Sequence, residues 1–392
     1  MNKDSWEVKM IGEVFDLYMG RTPSRSNPMY WGDNTGYKWV SISDIGNEKY
    51  IQTTKEFISE LGKKESKIKV VPKGTVIMSF KLSIGKVAIT AEDMYTNEAI
   101  MAFHPINSSI FEQNYIYYYL KGYDWIGSNR AVMGTTLNKF SISNSKIVIP
   151  PIAIQEQIVK ELDTLCDIIT KKKEQLAELD KLAQATFYDM FGDPIKNEKH
   201  WETKKLESIC SSVVRGPFGS ALKKDFFVQK SEFTYKVYEQ KHAIQKDAFI
   251  GQYYIDELLY NSLKRFTVLP KDIIMSCSGT IGEFFEIPAN AERGIINQAL
   301  LKFTLLENKI ISVFFLFLMK QLIINVEKKG SGIQNIGSVK FIKDITLGLP
   351  PISLQNQFAE KIEAIEQQKA LINQSITDTQ LLFDYTMDKY FN

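Results

Sequence analysis

Histidine and cysteine are both scarce in this chain of 392 residues, at three each. Cys166, Cys210 and Cys277 show no C-x-x-C spacing, and His104, His200 and His242 stand apart from any nucleophile pattern. That argues against a zinc site, a disulfide framework and a Cys/His catalytic centre, and it fits a reducing cytoplasm. Long hydrophobic runs are missing too. The greasiest stretch, IISVFFLFLMKQLII (residues 310–324), is broken by Lys320 and is too short to cross a bilayer, so a buried core helix is expected there. The opening MNKDSWEVKM contains no apolar core of a signal peptide. No G-x-G-x-x-G and no P-loop occur; RGPFGSA has two glycines at the wrong spacing. The chain thus lacks the usual marks of a metalloenzyme, a thiol enzyme, a nucleotide-binding enzyme and a membrane protein.

What it has is repetition. IPPIAIQEQIV begins at Ile149 and LPPISLQNQFA at Leu349, 200 residues later. The same order of echoes runs through both halves: WEVKMIGEV with WETKKLESI, VIMSFKLSIGK (76–86) with IIMSCSGTIGE (273–283), TNEAI (96–100) with INQAL (296–300), GTTLNKFS (134–141) with GSGIQNIG (330–337). Such ordered matches mark a tandem duplication, and a duplication changes the expected fold. Within each copy, the first part mixes short β-type runs with Gly, Pro, Asn and Ser turns. After the double proline the pattern becomes helical. Ile154, Ile158, Leu162, Leu165, Ile168, Ile169, Leu176, Leu179, Leu182 and Phe187 recur at three- and four-residue steps. Phe358, Ile362, Ile365, Leu371, Ile372, Ile376, Leu382 and Tyr385 do the same in the second copy.

The expected fold class is α+β, with four segments: globular domain 1–150, long helix 151–191, globular domain 192–350 and long helix 351–392. Each helix, at about 1.5 Å per residue, is too long to hide its stripe against one small domain. The two are therefore expected to pair as an antiparallel coiled coil about a pseudo-twofold internal repeat. Charge alternates along the same divisions. Residues 1–150 carry 18 basic against 15 acidic side chains and residues 192–350 carry 22 against 17; the helical segments carry 5 against 8 and 3 against 6. Two basic domains held by a stiff spacer suit a linear polyanion such as duplex DNA.

Polar loops at matching places supply candidate DNA-binding residues. GRTPSRSN offers Arg21, Thr22, Ser24, Arg25 and Asn27; the 76–86 segment offers Lys81; GTTLNK offers Thr135, Thr136, Asn138 and Lys139. In the second copy, VVRGPFGSALKK offers Arg215, Ser220, Lys223 and Lys224, and GSGIQN offers Ser331, Gln334 and Asn335. Arg, Lys, Asn and Gln match base edges, while Ser and Thr mostly touch phosphate.

These motifs, in this order and twice over, resemble the specificity subunit of type I restriction–modification enzymes, across essentially the whole chain. The resemblance implies two target-recognition domains, each reading one part of a bipartite site in double-stranded DNA. It implies helices that space them and dock two adenine-N6 methyltransferase subunits, with restriction subunits joining where present. It implies no catalytic residue, metal or cofactor in this chain; S-adenosylmethionine, and ATP with Mg2+ for a nuclease, belong to partner subunits. Phage defence in the cytoplasm is the implied setting. NPMY (27–30) is one letter from the Pro-Pro tetrapeptide with which such methyltransferases hold a flipped base, but no cofactor loop accompanies it, and it reads as turn chemistry. The alternative from another class is a two-armed structural adaptor that brackets protein partners. Salt separates the two: contacts to several phosphates weaken steeply with salt, and helix docking does not.

Overall fold

The structure, a computed structural model, describes residues 6–125, 137–218, 221–329 and 339–391, with 324–329 by backbone alone. It divides into two compact units, residues 1–173 with 373–392, and residues 174–372. Each is described separately.

In the first unit a five-stranded sheet has Phe15–Met19 at one edge, followed by Ile100–Pro105, Val76–Ser79, Val87–Thr90 and Tyr50–Ile51. Phe15–Met19, Ile100–Pro105, Val76–Ser79 and Val87–Thr90 pair antiparallel in turn. VIMS and VAIT are buried along their whole length, as continuous apolar runs covered on both faces require. One face is covered by helix Gln113–Gly122, whose tyrosines 115 and 117–119 are all buried and whose N-terminus is capped by Glu112. A smaller four-stranded sheet, with Tyr37–Val40 parallel to Tyr95–Thr96, stands beside it.

The second unit repeats the plan. Cys210–Arg215, Leu300–Leu305, Ile273–Ser276 and Phe284–Glu286 form its main sheet. Tyr235–Tyr238 runs parallel to Gly294–Ile296 in the smaller one. The apolar run at 310–324 is a core helix, Ser312–Lys329, which buries Phe314, Phe315, Leu318, Met319 and Ile323. Among the described residues no helix is long and apolar enough to cross a membrane.

The double-proline phrase opens the two long helices, Ile152–Phe191 and Ile352–Phe391. Its first glutamine is fully buried in both copies and does the same work in each. Gln155 Oε1 accepts the Glu112 N–H at 2.9 Å, and its Nε2 donates to the carbonyls of Ile110 and Pro150, both at 2.8 Å. Gln355 accepts the Ile311 N–H at 3.0 Å and donates to the carbonyls of Lys309 and Pro350 at 3.2 and 2.9 Å. The phrase recurs because this amide stitches the start of a long helix to its globular domain.

Each unit also contains a stretch of both long helices, running antiparallel. In the first, the Tyr390 hydroxyl donates to Glu161 at 2.7 Å, and Phe383 packs on Tyr118, which bonds Asp163. In the second, Phe358 meets Phe191 at 5.3 Å and Lys369 pairs with Asp180 at 2.8 Å. The buried stripe differs from the one expected. Leu182, Leu371, Leu382 and Tyr385 are exposed, while Ala183, Phe383, Met387 and Tyr390 are buried. Three- and four-residue steps accumulate angular drift. At about 100° per residue, 18 residues make five turns, so Phe187 continues the face of Ile169 and Phe383 that of Ile365. Leu382 is turned about 100° from that face.

Candidate nucleic-acid interface

Antiparallel pairing of four strands brings three chain segments to one end of the main sheet in each unit. In the first, Met19 lies opposite Met101, Ile100 opposite Ser79, and Met78 opposite Val87. The loop from Gly20, the TNEAI segment and the 80–86 turn therefore converge. In the second, Arg215 opposite Leu301, Ser276 opposite Leu300 and Met275 opposite Phe284 gather the corresponding segments.

The shared residues build the same backbone frame twice. The Gly20 and Gly216 N–H groups donate to the carbonyls of Ile100 and Leu300 at 3.3 and 3.0 Å. A Cβ at Gly20 would lie 1.9 Å from the Thr96 carbonyl oxygen, and one at Gly216 2.0 Å from that of Asn297, so only glycine fits. Asn97 and Asn297 each accept the N–H two residues on, at 3.0 Å. In the turns, the Gly85 and Gly282 N–H groups donate to the carbonyls of Ser79 and Ser276 at 2.9 and 3.0 Å. The hydroxyls of the same serines accept the Lys86 and Glu283 N–H groups at 3.1 and 3.0 Å.

On that frame the side chains differ between units. In the first, the Arg25 guanidinium stacks 3.8 Å over Trp31, lies 5.1 Å from Trp39 and forms a two-pronged ion pair with Glu56. The two indoles in turn hold the loop, donating to the carbonyls of Ser24 and Arg21 at 3.3 and 3.0 Å. Thr22 donates to the Glu98 carboxylate. Burial works to raise the Glu98 pKa, but the Thr22 hydroxyl, the Glu98 backbone amide and the charges of Lys81 and Arg25 hold it below its ordinary value. The second unit has Gln298 in place of Glu98.

The candidates from the sequence divide accordingly. Ser24 and Lys81 present exposed side chains. Arg21 is exposed but donates to the Ser66 carbonyl at 3.2 Å. Arg25 is tied to Glu56, and Asn27 caps the 28–30 turn by accepting the Met29 N–H. Asn138 caps helix Lys139–Ser143 by accepting the Ser141 N–H at 2.9 Å, with Lys139 exposed beside it. Arg215 is not a solvated loop residue: it ends a strand, is 7% exposed, and donates from Nε to the Gln298 carbonyl at 3.0 Å. Lys223 and Lys224 are exposed around a short turn. Thr135, Thr136, Ser220, Ser331, Gln334 and Asn335 lie outside the described residues.

Sequence reasoning missed a basic groove in the second unit. It is an open cleft of about 660 Å³, lined by Arg215, Phe218, Arg265, Lys340 and Lys343 and by two carboxylates, Glu207 and Asp344. Of its two carboxylates, Asp344 pairs with Lys205 at 3.1 Å, outside the cleft's own cations. The signal was present in LKRF and VKFIK, which set basic residues among apolar ones next to the proposed loops.

Two cysteines and one histidine are buried in the fold of the second unit. Burial pushes the Cys210 thiol up to about 12 and the Cys277 thiol up to about 11, so neither is a nucleophile near neutrality. His242 is fully buried and burial lowers its pKa; its ring bridges the Glu239 N–H and the Ile250 carbonyl, both at 2.8 Å. No group of three or more His, Cys, Asp or Glu side chains is placed to hold a metal among the described residues.

Comparison with known proteins gives one consistent answer. The model of the family described as type I restriction modification DNA specificity domain matches twice, over residues 3–181 and 198–379. The specificity subunit of the type I restriction enzyme MjaIX from Methanocaldococcus jannaschii is 27% identical, over 70% of this chain and 66% of its own length, just under two thirds. A second, putative specificity subunit of that organism, MjaX, is 21% identical over 93% of this chain and 87% of its own. The fold is shared with a chain solved in work on complex assembly and conformational transition of the type I R-M system. That match has a TM-score of 0.66 and 16% identity, and covers 99% of this chain and 98% of the other. An S subunit from M. genitalium matches with a TM-score of 0.50 at 15% identity, over 100% and 98% of the two chains.

Proposed function

The chain belongs to the type I restriction modification DNA specificity family, and from that premise we propose that it is the DNA-reading subunit of a restriction–modification complex. Each unit reads one half of a bipartite site in double-stranded DNA. The observation that carries this reading is the sheet end built twice: one backbone frame, held by Gly20 and Gly216, Asn97 and Asn297, and Ser79 and Ser276, carrying different side chains. A duplicated frame with diverged chemistry suits two half-sites of different sequence. Exposed Ser24, Lys81, Lys139, Lys223 and Lys224 are the contacts from the original set, with Arg265, Lys340 and Lys343 added as phosphate contacts. Arg21 and Arg25 act as pre-ordered cations whose protein partners DNA displaces or shares, and Arg215 braces its loop.

The chain performs no chemistry itself. Methyltransferase subunits dock on the long helices and bring S-adenosylmethionine; restriction subunits, where they join, use ATP with Mg2+. The complex works in the cytoplasm, where DNA and these small molecules are available. The test is to purify the chain alone and with its methyltransferase partner and to map methylated adenines. Site-specific methylation only by the mixture supports the proposal; methyl transfer by the single chain refutes the non-catalytic part. Binding to DNA that does not weaken with salt points instead to an adaptor for proteins.

A further inference from the structure

The hairpin turns at the sheet end hold one residue that the frame does not explain. Strands Val76–Ser79 and Val87–Thr90 are joined through Lys81, Leu82 and Ser83; in the second unit Ser278, Gly279 and Thr280 take those places. The third residue after the framing serine has the same left-handed backbone in both, with φ of +60° at Leu82 and +63° at Gly279. Glycine adopts it freely, and leucine does not. Other non-glycine residues with positive φ among those described are lysine, asparagine and histidine; Leu82 is the apolar one. Nor does packing hold it there, because Leu82 is 92% exposed. The first unit thus keeps a strained, fully solvated leucine where its own duplicate shows that the turn closes with glycine. A strained residue kept where glycine closes the duplicate turn points to function.

Leu82 adjoins Lys81, whose charge acts on Glu98 beside the Thr22 loop, and Lys86 is exposed at the far side of the turn. We propose that Leu82 is an apolar probe of base edges in the half-site read by the first unit, matched to a thymine C5-methyl group in the major groove, with Lys81 and Lys86 on the flanking phosphates. An exposed aliphatic tip between two cations suits that surface: the methyl group is the apolar feature of the groove, and phosphates border it. The second unit, with Gly279, makes no such contact. This rests on the DNA-reading function proposed above.

The experiment uses the full chain assembled with its methyltransferase partner, its mapped target duplex, and the variants Leu82→Gly and Leu82→Asn, both of which accept the left-handed turn. Each thymine of the target is replaced in turn by deoxyuridine, which removes only the methyl group. The wild-type complex is expected to lose about fourfold in affinity at one thymine of one half-site, the factor that one buried methyl group carries. Both variants should be indifferent to that replacement, should tolerate other bases there, should keep the other half-site, and should melt no lower than the wild type. If the variants stay as sensitive to deoxyuridine as the wild type, or the wild type is insensitive at every thymine, the probe is wrong while the DNA-reading function stands. A wild-type complex with no sequence preference overturns that function and this inference together.

Discussion

Replacing Gln155 by leucine keeps the side chain's volume and removes its amide. Three backbone groups lose their partner: the Glu112 N–H and the carbonyls of Ile110 and Pro150. A buried polar group left unpaired costs about 1–3 kcal/mol. The bond to Pro150 is buried, so its loss carries the full cost; the other two lie where water reaches in part. Taking about 2 kcal/mol for the first and half that for each of the others gives about 4 kcal/mol, or roughly 8–16 °C in melting temperature for a unit of this size. Gln355→Leu should cost a similar amount, since its three bonds are the same ones in the other copy. Gln157 is exposed and reaches only Glu161, at 3.1 Å, so Gln157→Leu should change stability by less than about 0.5 kcal/mol. Urea titration gives the size, and hydrogen exchange gives the place. Gln155→Leu should deprotect peptides around 110–123 and leave 309–323 unchanged, and Gln355→Leu the reverse. A Gln155→Leu protein within about 0.5 kcal/mol of wild type, or a Gln157→Leu protein as damaged as it, would refute the assignment of the phrase to this amide.

Three further outcomes follow from other contacts. Lys302 and Asp272 form a buried ion pair at 3.0 Å where the first unit has Ala102 and Thr75. Lys302→Ala alone should cost about 3 kcal/mol by leaving the buried Asp272 charge without its cation, held only by the Leu269 N–H and the Thr304 hydroxyl, and the double variant Lys302→Ala, Asp272→Thr should recover most of it in urea titrations. Burial lowers the His242 pKa below its ordinary 6.5, so the unfolded chain takes up a proton first as pH falls. Stability is therefore complete above pH 6.5 and declines below it, by about 1.4 kcal/mol per unit at most, until the folded pKa is reached; His242→Asn should flatten this limb in a difference titration. Arg265→Ala and Lys343→Ala should each reduce the salt slope of DNA binding by about one and weaken all sequences alike; an unchanged slope in both would remove the groove from the interface.

The duplication and both long helices were legible because they rest on residues that local geometry demands. Gly20 and Gly216 stand where no Cβ fits, and Gln155 and Gln355 where three backbone groups need one amide. Such residues repeat when the backbone repeats. The side chains of the candidate site were less legible because their engagement depends on remote partners. Nothing near Arg25 in sequence announces Glu56, 31 positions away, and nothing near Arg215 announces the Gln298 carbonyl, 83 away. The matched segments VIMSFKLSIGK and IIMSCSGTIGE do set Leu82 against Gly279, but a leucine replacing glycine reads as ordinary drift until φ is known. The helix stripe misled for a different reason: leucine is common, and Leu182 and Leu382 satisfied the step rule while the rotation had moved on.

Residues 174–372 fold as one uninterrupted stretch, whereas the first unit consists of residues 1–173 together with 373–392. The second unit is thus an insertion within the first. Phe383, Met387 and Tyr390 belong to the same core as Ile158, Val159 and Leu162, from which they are separated by some two hundred positions. At roughly 5–20 residues per second on the ribosome, that core waits about 10–40 s for its missing wall. Through that interval the nascent chain carries an uncovered strip of isoleucine, valine and leucine, while the insertion has all its own residues and closes first. Order of synthesis and order of completion are therefore reversed: the half that is made first is finished last.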